Sequence, residues 1–175
     1  MARIDVVDGE GLERERLLMM QPDVAKGMWV FANAVYEKTS LSARLREIAR
    51  LRVAVANGCG VCLNTRSPKA AEQGLDEEAV QEVMACSIGA APDIEGLTER
   101  ERIAGEFADR FARNHHSIDD EFMAEVRTCF SDVEVIELTA LCAMTVGNGR
   151  FLAVLDVAAD DDGFYLLPEG PTEPS

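Results

Sequence analysis

The sequence predicts an all-α protein on three observations. Apolar residues recur at three- and four-residue spacing through most of the chain, strand-like alternation is confined to Ile4 to Val7, and helix start and stop signals bracket the periodic stretches. At 175 residues and 47% hydrophobic content the chain is long enough for one well-buried core, so a single helical domain is expected, without a disulfide scaffold.

Pro22 suits the first turn of a helix, and the stretch to Glu37 carries Val24, Met28, Phe31, Ala32 and Val35 on one side before Thr39 and Ser40 break the pattern. Ser42 is an N-cap for a second helix to about Ala56, apolar at Leu45, Ile48, Ala49, Val53 and Val55, and Asn57-Gly58 stops it. A third helix is expected from Cys59 to about Gln73, where Gly74 suits a C-terminal cap, and a fourth from Asp76 to Gly89, ending near Ala91-Pro92. Beyond a linker at Pro92 to Gly96, Thr98 and Glu101 have the spacing of a capping box and open a helix to about Asn114. Ser117 with Asp120 opens the next, to about Phe130, and Asp132 opens a long apolar helix to about Ala158.

The resulting organisation is an N-terminal segment (1–21), a helical domain (22–158) and an acidic, Pro-containing tail (159–175). Gly163, Pro168, Pro171 and Pro174 keep that tail from a long helix, leaving Phe164, Tyr165, Leu166 and Leu167 to dock onto a neighbour. Glu47-Ile48-x-x-Leu51 ahead of Asn57-Gly58 is echoed by Glu137-Leu138-x-x-Leu141 ahead of Asn148-Gly149, a likeness that amphipathic composition alone can also produce.

A formal net charge of −15 argues against nucleic acid as a partner, because phosphate binding draws its affinity from clustered Lys and Arg. The stretch from Val133 to Val157 is interrupted by Glu134, Glu137, Asn148 and Arg150, so no membrane span is expected. Five cysteines is an odd number and Met1 opens no secretory leader, which points to the reducing cytoplasm.

The chemistry-bearing feature is the pair Cys59 and Cys62, spaced C-x-x-C immediately after Asn57-Gly58. Two thiols three positions apart in the first turn of a helix face the same way, and the unpaired N–H groups there favour thiolate over thiol. One sulfur can act as nucleophile and the other as its resolving partner. Cys86, Cys129 and Cys142 lie in apolar helical runs and read as ordinary packing residues.

Glu47 stands twelve positions before Cys59, roughly 18 Å along a straight helix. The turn at Asn57-Gly58 folds the chain back, and Arg66 is then the natural neighbour of Glu47. A carboxylate between apolar helices needs a partner or a proton, so Glu47 is either an acid–base group or half of an ion pair with Arg66.

This arrangement resembles the carboxymuconolactone decarboxylase-like superfamily, in particular its alkylhydroperoxidase D-like branch. The motif there is a glutamate twelve positions before C-x-x-C and a histidine four positions after it; here the places are filled by Glu47, Cys59, Cys62 and Arg66. The likeness runs from Leu41-Ser42-Ala43-Arg44-Leu45-Arg46-Glu47 to Ala71-x-x-Gly74-Leu75, with a weaker match from Val135 to Arg150.

The resemblance implies a homo-oligomeric helical bundle, a trimer or a multiple of it, with the site beside a subunit contact and no cofactor or metal. It implies a peroxide or small disulfide substrate, that Cys62 attacks the peroxide and becomes a sulfenic acid, that Cys59 closes the disulfide, and that a lipoyl or thioredoxin-like dithiol reductant resets the pair. The family glutamate, matching Glu47, works there through a histidine relay. Val61 and Arg66 occupy the two histidine places, so electrostatic support from Arg66 would stand in for a base.

Two alternatives stay open: a lyase on a small carboxylated substrate gripped by Arg66 or Arg150, and a non-catalytic assembly protein whose thiols sense redox state. A zinc site of Cys59, Cys62 and the only histidines, His115 and His116, is not expected, because adjacent histidines rarely aim at one ion; those two read as cations at a helix C-terminus. Asn148 and Arg150 are expected at a helix contact, and Trp29, Met19, Met20 and Met28 in core or interface packing.

Overall fold

A computed structural model describes residues 2–87 and 94–159, together with the backbone of 165–166. The helices are α1 (Glu13–Met19), α2 (Pro22–Glu37), α3 (Ala43–Asn57), α4 (Gly60–Leu63), α5 (Pro68–Glu72), α6 (Glu77–Ala85), α7 (Glu99–Asn114), α8 (Asp120–Cys129) and α9 (Asp132–Val154). Two short strands, β1 (Thr65–Arg66) and β2 (Tyr165–Leu166), pair in parallel, Thr65 opposite Tyr165. The all-α class is as the periodicity predicts.

Helix α3 is the hub, packed on α7, α9, α6 and α5. One side of it, through Leu45, Ala49 and Val53, meets Ile103 and Phe107 of α7 and Leu138 and Leu141 of α9. The other side, through Ile48 and Leu51, meets Ala70, Val80 and Val83 of α5 and α6. Burial on both sides forces the polar residues of α3 to pair internally. Arg52 and Asp109, each without exposed side-chain surface, form an ion pair, and Arg52 also donates to the carbonyls of Val83, Cys86 and Ser87, closing the C-terminus of α6.

A third apolar cluster joins Leu17 of α1, Cys59, Val61 and Val157, with Phe151 and Leu152 of α9 beside them. The chain start is tied to the end of α9, since the Arg3 amide donates to the Leu155 carbonyl at 2.7 Å and Glu13 accepts from the Ala158 amide at 2.8 Å.

Several boundaries depart from the sequence reading. The single helix expected from Cys59 to Gln73 is broken into α4, β1 and α5, because Pro68 has no N–H to donate and pushes Ser67 into extended backbone, where its hydroxyl caps α5. Asp119, not Ser117, caps α8; Ser117 lies in a short 3-10 turn with His115 and His116. Helix α9 ends at Val154, and Ile4 to Val7 form no strand. The expected helix end at Gly89 to Pro92 and the tail side chains from Phe164 to Leu167 lie outside the described residues.

Trp29, Met19 and Met20 are not core residues. Met19 is 63% exposed and Trp29 46%, and α2 buries only Val35 while Val24, Val30 and Phe31 face outward.

Candidate functional site

Gly58 ends α3 in the left-handed region, φ 61°, a conformation that favours a residue without Cβ and that reverses the chain sharply. The reversal is anchored by Asn57, whose amide donates to the Thr145 carbonyl at 3.3 Å and whose oxygen accepts from Arg150 Nε at 3.2 Å. Arg150 also donates to the Ala112 carbonyl at 2.6 Å, so it sits at a helix contact as expected.

Cys59 follows in extended backbone as the N-cap of the one-turn helix α4, and its Sγ accepts the Cys62 amide at 3.3 Å. The two cysteines therefore share one face of that turn. Their exposure differs: Cys59 is 2% exposed inside the third cluster, whereas Cys62 is only partly buried and lines a cavity of about 270 Å³. The walls of that cavity are largely apolar, with Leu18, Met28, Trp29, Met144 and Leu152, and Tyr36, Arg50 and Asn148 also face it.

Arg50 organises the site. Its guanidinium forks onto both Glu47 carboxylate oxygens at 2.7 Å, and the same group donates to the Cys62 carbonyl at 2.6 Å and the Thr65 carbonyl at 2.8 Å. Glu47 and Arg50 are 2% and 3% exposed, so each charge depends on the other. The Glu47 carboxylate favours the guanidinium's charged form and holds the Arg50 pKa above its ordinary value despite burial.

The expected pairing of Glu47 with Arg66 is therefore corrected. Arg66 forks onto Glu77 of α6 at 2.7 and 2.9 Å and also donates to the Leu63 and Thr65 carbonyls. An unbroken helix would have carried Arg66 past Glu47; with the chain extended through Thr65 and Arg66, that side chain reaches α6 instead. Val61, in the other histidine place, is buried and has no ionisable group.

The Cys62 thiol's hydrogen bond to Cys59 is the main influence on both sulfurs. Aided by the Cys62 and Val61 amides and the Arg50 charge, it lowers the Cys59 thiol from 9.0 to about 7 against the effect of burial. The same bond, with burial and the Cys59 charge, pushes Cys62 up. The two sulfurs therefore titrate as a coupled pair, with the charge favoured on Cys59.

Arg50 is the residue that sequence reasoning missed. Its signal was a cation three positions after Glu47, the spacing of one helical face. His115 and His116 are exposed, their rings tilted against each other with centroids 4.1 Å apart. Among the described residues no cluster of three or more His, Cys, Asp or Glu is arranged to hold a metal ion, and no helix is long and apolar enough to cross a membrane.

An all-helical bundle that holds a C-x-x-C turn against a buried Glu–Arg pair defines a class of thiol-bearing helical proteins. Residues 22–91, from α2 through the cysteine turn and α6, match the Carboxymuconolactone decarboxylase family. No curated protein matches the chain.

Among solved structures, a protein of unknown function from Agrobacterium tumefaciens, described as a candidate antioxidant defence protein AhpD, is 18% identical with a TM-score of 0.73, covering 93% of this chain and 100% of that one. An uncharacterised peroxidase-related protein from Silicibacter sp. TM1040 is 13% identical with a TM-score of 0.76, covering 93% of each chain. The debrominase Bmp8 is 19% identical with a TM-score of 0.71, covering 83% of this chain and 76% of that one. Residues 22–91 are thus similar to the Carboxymuconolactone decarboxylase family, and the solved structures share the all-helical fold.

Proposed function

We propose that this protein is a thiol-dependent peroxidase acting on organic hydroperoxides, with Cys62 as the attacking sulfur and Cys59 as both its base and its resolving partner. The observation that carries the reading is the division of labour between the sulfurs. Cys62 lines a cavity that a substrate can enter, and Cys59 is buried behind it with its Sγ accepting the Cys62 amide.

The cavity, at about 270 Å³ with apolar walls, is far larger than hydrogen peroxide needs and suits an alkyl or aryl group. In the reaction the Cys62 S–H proton passes to the Cys59 thiolate as Cys62 attacks the terminal peroxide oxygen. The S–O bond forms, the O–O bond breaks, and the alkoxide leaves to be protonated. Cys59 then displaces water from the Cys62 sulfenic acid, so that dithiol and hydroperoxide give disulfide, alcohol and water.

A lipoyl or thioredoxin-like dithiol, available in a reducing cytoplasm, returns the disulfide to two thiols. Arg50, rather than Arg66, supplies the positive charge in this account, and Glu47 orients Arg50. The homo-oligomer is part of the same proposal, supported by the apolar outward face of α2 at Val24, Val30 and Phe31.

The experiment is turnover of an organic hydroperoxide with a dithiol donor. It should be lost in Cys62→Ser, and full turnover by that variant would remove the mechanism.

A second reading draws on the same cavity. A Cys→Ala variant of Bmp8 is known in complex with 2,3,4-tribromopyrrole, and an apolar cavity beside a thiol also suits a halogenated aromatic ring. Release of halide from such a ring with disulfide formation, in the absence of peroxide turnover, would favour it. The lyase alternative has less support, because Arg66 is engaged with Glu77, and Arg150 with Asn57 and Ala112.

A further inference from the structure

Reduction of a hydroperoxide at Cys62 leaves an alkoxide, a strong base that needs a proton as the O–O bond breaks. Neither histidine place of the family motif supplies one here, since Val61 is apolar and Arg66 is turned to Glu77. Cys59 has just accepted the Cys62 proton, but it lies inside the apolar cluster and away from the cavity. The proton donor must face the cavity.

Tyr36 meets that requirement. It stands one residue before the end of α2, partly buried against the main core, and lines the cavity that Cys62 lines. Its hydroxyl is close enough to the site to feel the charges of Arg50, Glu47 and Cys62. Among the described residues the hydroxyl makes no hydrogen bond, so it is available to an incoming molecule. Burial pushes the phenol up, which keeps it protonated through neutral pH and able to donate. An alkoxide is a stronger base than a phenolate, so transfer from the phenol to the leaving oxygen still runs downhill.

We infer that Tyr36 is a catalytic residue, the general acid that protonates the alkoxide released when Cys62 attacks an organic hydroperoxide. This rests on the peroxidase reading above. The balance is complete. Cys62 gains the S–O bond and loses its proton to Cys59, the peroxide is reduced by two electrons, the alkoxide takes the Tyr36 proton, and the phenolate is reprotonated from solvent through the cavity.

The test compares wild type with Tyr36→Phe in single-turnover disulfide formation, using two oxidants that differ in leaving group. With tert-butyl hydroperoxide the leaving alkoxide needs the proton, and Tyr36→Phe should be slower by about a hundredfold. With peracetic acid the leaving carboxylate is stable without it, and the rate should be little changed. Iodoacetamide alkylation of Cys62, which needs a thiolate but no acid, should be equal in both proteins and reports an intact site.

Equal slowing with both oxidants, slowing with neither, or a parallel loss of alkylation would overturn the role of Tyr36 while leaving the peroxidase reading in place. If wild type forms no Cys59–Cys62 disulfide with either oxidant, the peroxidase reading fails first.

Discussion

The Arg50 guanidinium donates to the backbone carbonyl of Cys62 at 2.6 Å, across the reversal at Gly58, while its other nitrogens hold Glu47 and Thr65. One side chain thus fixes the position of the thiol turn and brings a positive charge to it. Glu47 is joined to the cysteine turn through this arginine.

The sulfur pair should titrate as a unit with its first step at about 7, the value at which Cys59 is held by the Cys62 hydrogen bond. The sign follows from the anion being the reactive form: alkylation of Cys62 rises as pH increases through that midpoint and falls below it, where the shared proton returns. In Cys59→Ser the base is gone, and the midpoint should move up toward the ordinary thiol value of 9.0. The pH profile of iodoacetamide incorporation, read by mass spectrometry, checks both statements.

Arg50→Met leaves the Glu47 carboxylate buried without its partner and should cost about 3–5 kcal/mol in denaturant unfolding. In the protein that remains folded, the thiol midpoint should rise, because the Arg50 charge that lowers Cys59 has been removed. An unchanged midpoint would mean that the arginine only braces the turn.

Arg66→Ala should behave differently. Arg66 is 9% exposed and also donates to the Leu63 and Thr65 carbonyls, so its loss should cost about 1–3 kcal/mol, while the thiol midpoint should stay at about 7. A midpoint shift equal to that of Arg50→Met would return Arg66 to the site.

Gly149→Ala places a Cβ against Asn57 Nδ2, where α9 crosses the end of α3. Asn57 would have to give up its hydrogen bonds to Thr145 and Arg150, with an overpacking cost of about 1–3 kcal/mol. The thermal midpoint should fall, and the cysteine turn next to Asn57 should lose hydrogen-exchange protection along with it.

The parts of the fold that were legible in the sequence are those set by local signals. Pro22 opens α2, Ser42 caps α3, and the Thr98–Glu101 capping box opens α7, because each satisfies backbone groups within its own turn. The stretch from Cys59 to Gln73 was illegible as a whole, since its apolar spacing reads as one helix and only the weight given to Ser67-Pro68 divides it. That error carried into the site by placing Arg66 beside Glu47.

Arg50 went unread because an arginine in a helix looks like a surface residue until the burial of α3 on both sides is known. The same holds for Trp29 and Met28. Periodicity assigns them to packing, and only the tertiary arrangement shows that they wall a cavity in front of Cys62.

The most direct test of the account is the fate of the two sulfurs after one equivalent of an organic hydroperoxide, read by intact mass and peptide mapping. Wild type should lose two hydrogens and yield a Cys59–Cys62 disulfide, and Cys59→Ser should trap a sulfenic acid on Cys62. A sulfenic acid on Cys59 in the Cys62→Ser variant, formed as fast as the wild-type disulfide, would contradict it.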